Sequence, residues 1–216
     1  MSVYGEGNVP VMHPAVRLPV LLLLILAPFV TFSQRSGIGL KAGLGAAEMR
    51  SGAVNGRLTT GATAGIYAPL LAAPRFELQP EVLLTALGSG HLGSTGERYT
   101  VRSIYVQIPL LAKVYIGSTL NAQIGVLAGK LVHAAQFTAS GSRDVTADHR
   151  PDEVALLLGA GLDLPSGLDL SLRYHNGMTP VLANDGVLFP RNQAVLIGVG
   201  YRLIRIGAPR MQRRRG

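Results

Sequence analysis

Between residues 36 and 204 apolar residues alternate with polar or small ones in about eight stretches, and the gaps between the stretches run short, long, short, long. A period of two marks β-strands, whose successive side chains point to opposite faces. It excludes helices, whose apolar residues recur about every 3.6 positions. The cleanest stretch is Arg75 to Ala86. Phe76, Leu78, Pro80, Val82, Leu84 and Ala86 occupy one parity and Arg75, Glu77, Gln79, Glu81 and Thr85 the other, interrupted by Leu83. A soluble sandwich would bury the oily face and hydrate the charges. A transmembrane β-barrel does the reverse, with lipid outside and charged side chains in the lumen.

Composition favours the second arrangement. Hydrophobic residues make up 48% of the chain, charged ones 15%, and the mean hydropathy is +0.31, which is too apolar for an ordinary soluble domain. The 27 glycines argue against a helical bundle, and the absence of cysteine excludes disulfides and thiolate metal sites. The net charge of +8 would suit nucleic acid. However, Arg205, Arg210, Arg213, Arg214 and Arg215 supply five of those charges in the C-terminal tail, without interleaved aromatics, so no nucleic-acid partner is expected.

Leu18 to Val30 form the one long apolar run, behind Arg17 and ahead of Thr31, Phe32, Ser33 and Gln34. That order reads as a secretory signal peptide over residues 1–34, cleaved near Ser33 or Gln34, with Met12 as an alternative start. A single-pass anchor is the competing reading. It needs roughly 20 residues, and Pro19 and Pro28 fall inside this run.

The strands are expected over Gly37–Ala46, Leu58–Pro69, Arg75–Ala86, Arg102–Ile116, Leu120–Gly129, Glu153–Leu164, Leu168–Met178 and Gln193–Ile204. The fold class is therefore all-β: an eight-stranded antiparallel up-and-down barrel over residues 36–204, followed by a basic periplasmic tail, 205–216. Pro109 lacks an N–H, so a bulge or local break is expected there. Pro69–Pro74, Gly117–Thr119 and Pro165–Gly167 read as short periplasmic turns. Ala47–Arg57, Leu87–Arg98, Lys130–Asp152 and Thr179–Asn192 read as long outer loops, which leaves both termini in the periplasm.

The inward parity gathers Lys41, Glu77, Gln79, Glu81, Gln107, Lys113, Asp163, Arg173 and Arg202, with Glu153, Asp169 and His175 beside them. A buried ion requires a partner, and a barrel this narrow has just enough interior for side chains, so these residues are expected to form a static polar network. A gated pore is the alternative. Inner-face glycines such as Gly39, Gly43 and Gly45 would leave room for large lumen side chains. His91, His133 and His149 fall in the expected outer loops and His175 near a strand end, with no metal-ligand spacing. A membrane-surface enzyme could join one of them to Ser89, Ser103 or Asp148, but no local signature supports this. Catalytic, metal and cofactor residues are accordingly expected to be none.

Several runs carry a family resemblance. Phe76-Glu77-Leu78-Gln79-Pro80-Glu81-Val82-Leu83-Leu84 resembles the "LQPELLY" strand of the PorT-type outer-membrane β-barrel family, and Ile108-Pro109-Leu110-Leu111-Ala112-Lys113-Val114-Tyr115 its "IPLLLKY" strand. Gly37 to Gly45, Leu158 to Gly167, Leu170 to Tyr174 and Ile197 to Leu203 are similar to further segments of that family, in order. The chain departs from the pattern at Ala112, at Val114 and in its arginine-rich C-terminus. The resemblance implies a monomeric eight-stranded barrel similar to the OmpA-type membrane domain, in the outer membrane of a Gram-negative cell. It also implies one of the functional alternatives, a component of a protein secretion or gliding apparatus. The other two are a structural or binding barrel acting through its outer loops and a small-solute channel. Expected partners are outer-membrane lipid and periplasmic or outer-membrane proteins that meet the tail or the loops.

Overall fold

The computed structural model describes residues 37–51, 56–72, 75–93, 96–183 and 189–205. The expected signal peptide and the tail beyond Arg205 lie outside the described residues. Ten antiparallel strands follow one another: β1 (Gly37–Arg50), β2 (Thr59–Tyr67), β3 (Leu71–Ala72), β4 (Phe76–Leu92), β5 (Arg98–Ile116), β6 (Leu120–Thr138), β7 (Gly141–Asp144), β8 (Asp152–Asp163), β9 (Leu168–Gly177) and β10 (Arg191–Arg205). The pairing order β2-β1-β10-β9-β8-β6-β5-β4 closes on itself through β2 and β4, so eight strands form a ring. Two short strands are additions, β3 against β4 and β7 against β6. β10 reaches Arg205, which pairs with Gly37, one residue further than the alternation alone implied.

Burial follows parity all round the ring. Leu44, Leu84, Ile124 and Ile197 are more than half exposed, while Lys41, Glu77, Glu81 and Lys113 are at most 5% exposed. A continuous apolar exterior of this kind is stable only against hydrocarbon. Toward the loop end the outward positions turn polar. Glu48 pairs with Gln193 and Gln193 with Asn176, Lys130 pairs with Asp152, and Arg102 takes the same role on β5. This belt marks the upper edge of the apolar band.

The strands outrun their expected ends. β4 continues to Leu92, paired with β5 down to Arg98, and β6 continues to Thr138 before turning back into β7. The segments Leu87–Arg98 and Lys130–Asp152, expected as loops, are therefore mostly ladder, and His91 and His133 lie on strands. Beyond Lys130, β6 projects about 26 Å at roughly 3.3 Å per residue. A bulge interrupts it: Ile104 pairs with His133 and Tyr105 with Leu131, which leaves Val132 over. The inward parity shifts as a result, from Leu127 to Ala134. Pro109 keeps its register with Leu127 on β6. On the β4 side the ladder lapses at Glu81 and Val82 and resumes without a shift, so the break expected there is a lapse in pairing rather than a bulge. The opposite end of the barrel closes with tight turns, where Gly117 (φ 74°) and Gly167 (φ 97°) adopt the left-handed conformation that glycine tolerates. The expected turn Pro69–Pro74 contains β3.

Candidate functional site

The lumen is packed in tiers. Nearest the turn end, Lys113 Nζ sits 3.1 Å from Asp163 and 3.4 Å from Glu77. The Tyr115 hydroxyl lies 2.9 Å from Glu77 and 2.6 Å from Asp163, Asn121 donates to Asp163 at 3.0 Å, and Arg202 approaches the same carboxylate at 3.9 Å. Tyr67 donates to Asp169 across the barrel. Two inward glycines make room for this pair. A Cβ at Gly39 would lie 2.3 Å from the Tyr67 ring, and one at Gly200 would lie 2.3 Å from the Asp169 carboxylate.

The middle tier centres on Glu81. Arg173 grips it with two nitrogens at 2.7 and 2.9 Å, Lys41 donates at 3.1 Å and Gln79 at 2.6 Å. Gln123 accepts from Arg173 Nε at 2.8 Å. A carboxylate between a forked guanidinium and an ammonium is the arrangement in which a buried ion is best compensated. Above it Glu153 gathers His175 (3.2 Å), Asn192 (2.9 Å) and Gln107 (2.8 Å). One lumen wall is apolar, built from Leu111, Leu127, Ala155 and Leu157. The void between these tiers is about 30 Å³, lined among others by Lys41, Gln107, Leu127, Arg173 and His175. It has room for about two or three waters, since one water needs ~10–15 Å³.

The loop end is closed differently. Met49, Val101, Ala134, Val145 and Val181 form a buried apolar cluster over a second one, Ala47, Leu87, Tyr105 and Ala194. Val145 and Val181 come from connections that fold across the mouth. The Val145 N–H donates to Ala134 O, Arg150 N–H to Val181 O and Ala183 N–H to Asp148 O, with His149 bridged to Leu182. Ser89 Oγ accepts the Met49 N–H at 2.9 Å and ties β1 to β4 below this lid. At the root of the β6–β7 projection, the Thr146 backbone N–H and then its hydroxyl hold the Asp144 carboxyl below the usual carboxylate range.

All nine residues of the expected polar network point inward, and they divide among the three tiers: Glu77, Lys113, Asp163 and Arg202 near the turns, Lys41, Gln79, Glu81 and Arg173 in the middle, and Gln107 above. Tyr67, Tyr105, Tyr115, Asn121, Gln123 and Asn192 complete the tiers and were not selected. Their parity was legible, but apart from Gln79 and Gln107 the expected network was drawn from charged residues. The histidines are dispersed. His91 stacks on Tyr99, His133 lies beside Asp144, His149 is under the lid and His175 is in the lumen. Among the described residues no hydrogen bond joins Ser89 or Ser103 to a histidine.

The model of the outer membrane protein beta-barrel domain family matches residues 31–183, and β10 lies beyond the match. No curated protein matches the chain in sequence. Among solved structures it is similar to Neisserial surface protein A, at 15% identity and a TM-score of 0.54 over 79% of this chain and 99% of that one. Ail, the attachment invasion locus protein of Yersinia pestis, aligns at 11% identity and a TM-score of 0.45, over 78% of this chain and 99% of Ail.

Proposed function

Because the chain belongs to the outer membrane protein beta-barrel domain family and resides in the outer membrane, we propose that it is a non-enzymatic, single-chain barrel that works by binding at its loop end. Long connections of such barrels face outward, so this end meets the cell exterior. The supporting observation is how the interior is filled. The tiers of polar groups hold a void of about 30 Å³ between them and an apolar lid lies above, so among the described residues side chains fill the route a solute would take. The ladder meanwhile continues beyond the apolar band and holds the projection β5–β6–β7 stiff. Reconstituted into planar bilayers, the protein should show no discrete conductance, and crosslinking on intact cells should capture partners through the β6–β7 tip. Stepwise conductance would overturn this reading in favour of a channel.

A second reading has its own support. The PorT-like runs and the exit of β10 at the turn end, with the arginines that follow Arg205, favour a secretion-apparatus component that docks an acidic periplasmic protein. Deleting Ala208 to Gly216 should then abolish co-purification of that partner and leave the heat-modifiable gel shift of the barrel intact. Retained co-purification would remove this alternative.

A further inference from the structure

On the outer wall, at the height where the apolar band ends, four exposed arginines stand on neighbouring strands. Arg191 of β10 and Arg50 of β1 are directly paired across the ladder. Next round the ring Arg57, just ahead of β2, bridges to Gly90 of β4, and Gly88 pairs with Arg102 of β5. Gly90 pairs with Thr100, which has the outward parity of Arg102, and a Cβ on Gly90 would lie 3.2 Å from the Arg57 Cβ; Arg57 therefore faces outward as well. Gly88 and Gly90 put no side chain between Arg57 and Arg102. The four guanidiniums thus share one arc over β10, β1, β2, β4 and β5, about 19 Å wide at ~4.8 Å between strands.

Among the described residues only one of these four has an ion pair, Arg50 with Glu48 at 3.9 Å. The sequence between Arg50 and Arg57, Ser-Gly-Ala-Val-Asn-Gly, adds no acid. Like charges directly opposite one another, as at Arg50 and Arg191, cost stability unless an anion lies between them. On the far wall, by contrast, Lys130 is matched by Asp152 at 2.9 Å. Below the arc the wall is hollow. Ala42 pairs with Ala64 and Ala62 with Ala86, so short side chains stand together on β1, β2 and β4, where other parts of the wall carry leucine, isoleucine and valine. The hollow measures about 940 Å³. Ile104, two residues below Arg102, and Ile197 bound it on β5 and β10, the strands that carry the two ends of the arc. A hollow of short side chains names no occupant by itself; the arginines over it do.

We infer that this strip of wall binds a phosphomonoester lipid of the outer leaflet, its phosphate among Arg50, Arg57, Arg102 and Arg191 and an acyl chain in the alanine hollow. Guanidiniums grip phosphate oxygens through paired N–H groups, and a phosphomonoester brings more charge to them than a phosphodiester does. A soluble anion would use the arc and leave the hollow empty. A zwitterionic lipid would fill the hollow but bring its own ammonium to the arc. Only an anionic head joined to a chain uses both. The site lies on the outer wall, apart from the binding proposed at the loop end, and its leaflet rests on that end facing outward.

The test titrates the full-length chain, recovered from outer membranes in a non-ionic detergent, with dioleoyl phosphatidic acid, phosphatidylglycerol and phosphatidylcholine, and counts bound lipid by native mass spectrometry. Phosphatidic acid should be retained saturably, phosphatidylglycerol more weakly and phosphatidylcholine least. Arg57→Gln combined with Arg191→Gln, both at exposed positions that leave the heat-modifiable fold intact, should weaken phosphatidic acid about 25-fold, or about 5-fold for each basic residue at an anionic lipid surface. Lys130→Gln on the far wall should change it less than about 2-fold. Ala64→Leu narrows the hollow without altering charge and should weaken phosphatidic acid about 4-fold, the worth of one buried CH₂. Equal retention of the three lipids, unchanged retention in the double variant, or as large a loss in Lys130→Gln would each overturn the inference. So would displacement of the lipid by inorganic phosphate at equal concentration, which makes the occupant a soluble anion, or dimers forming in its place, which make it a second copy. Ser142→Cys decides the leaflet separately. Labelling of intact cells by an impermeant maleimide supports the outer leaflet whatever the titration gives; no labelling removes it together with the outward loop end.

Discussion

Two parts of one strand show how the chain meets two solvents. Low on β5, Val106 faces outward at 40% exposure and Gln107 faces inward at 2%; five residues nearer the loop end, Arg102 faces outward and Val101 inward at 8%. Neither the strand nor its parity has changed. Below the belt of Glu48, Arg102, Lys130, Asp152, Asn176 and Gln193 the exterior medium is hydrocarbon, and charges find their partners inside. Above it the medium is water, and Met49, Val101, Ala134, Val145 and Val181 collect inside as they would in a soluble protein. The side on which a residue sits is set by the strand, but the polarity required there is set by the solvent at that height.

The comparison can be broken most sharply in the lower half. Glu81→Gln leaves Lys41 and Arg173 buried against a neutral amide, and should cost about 3–5 kcal/mol in guanidinium unfolding followed by the gel shift. A loss under about 1 kcal/mol would mean that the lower lumen is hydrated rather than ion-paired. Arginine placed outward on β5 probes the belt itself. Leu110→Arg should cost roughly 2–4 kcal/mol near the middle of the apolar band, while Thr100→Arg, with the same parity above the belt, should stay within about 0.5 kcal/mol. Equal costs would put both positions in one medium. In the upper half, Val145→Ala removes two methyl groups from the lid and should cost about 1–2 kcal/mol. Amide exchange at Arg150 and Ala183 should quicken, while β8 is unaffected. The smallest effect belongs at the boundary. Lys130 and Asp152 pair at 2.9 Å but are both exposed, so Asp152→Asn should cost at most about 1 kcal/mol and nothing in high salt.

The lower half was legible because its alternation keeps one phase: in the runs Phe76–Ala86 and Ile104–Ile116 single apolar residues such as Leu83 and Leu111 fall on the polar parity without shifting it, and both faces can be located from sequence alone. The upper half was hidden for two physical reasons. Leu87-Gly-Ser-Gly-His-Leu92 has the composition of a loop, yet each of its residues pairs with β5, and Gly88 and Gly90 are small because Thr59 and Arg57 crowd them. In β6 the bulge at Val132 reverses the parity, so a pattern read with fixed period fails at the point where the strand continues. The lid was illegible for a third reason: Val145 and the short run Val181-Leu182-Ala183 lie in connections with no strand alternation, and only the closed ring brings Val145 and Val181 over Met49.

The pairing of Gly37 with Arg205 and of Arg50 with Arg191 makes the first and last described strands neighbours. No shorter length of this chain is a smaller barrel. Until β10 is in place, β1 and β9 each present an open row of N–H and C=O groups, every one of which costs several kcal/mol to bring into hydrocarbon. Entry into the bilayer and closure of the ring are thus a single event, one that waits on the contact most distant along the chain and is correspondingly slow. In the interval the chain carries a full complement of lipid-facing leucine, isoleucine and valine through water. Sheltering it from self-association during that time is as much a requirement of this fold as the ion pairs that fill it.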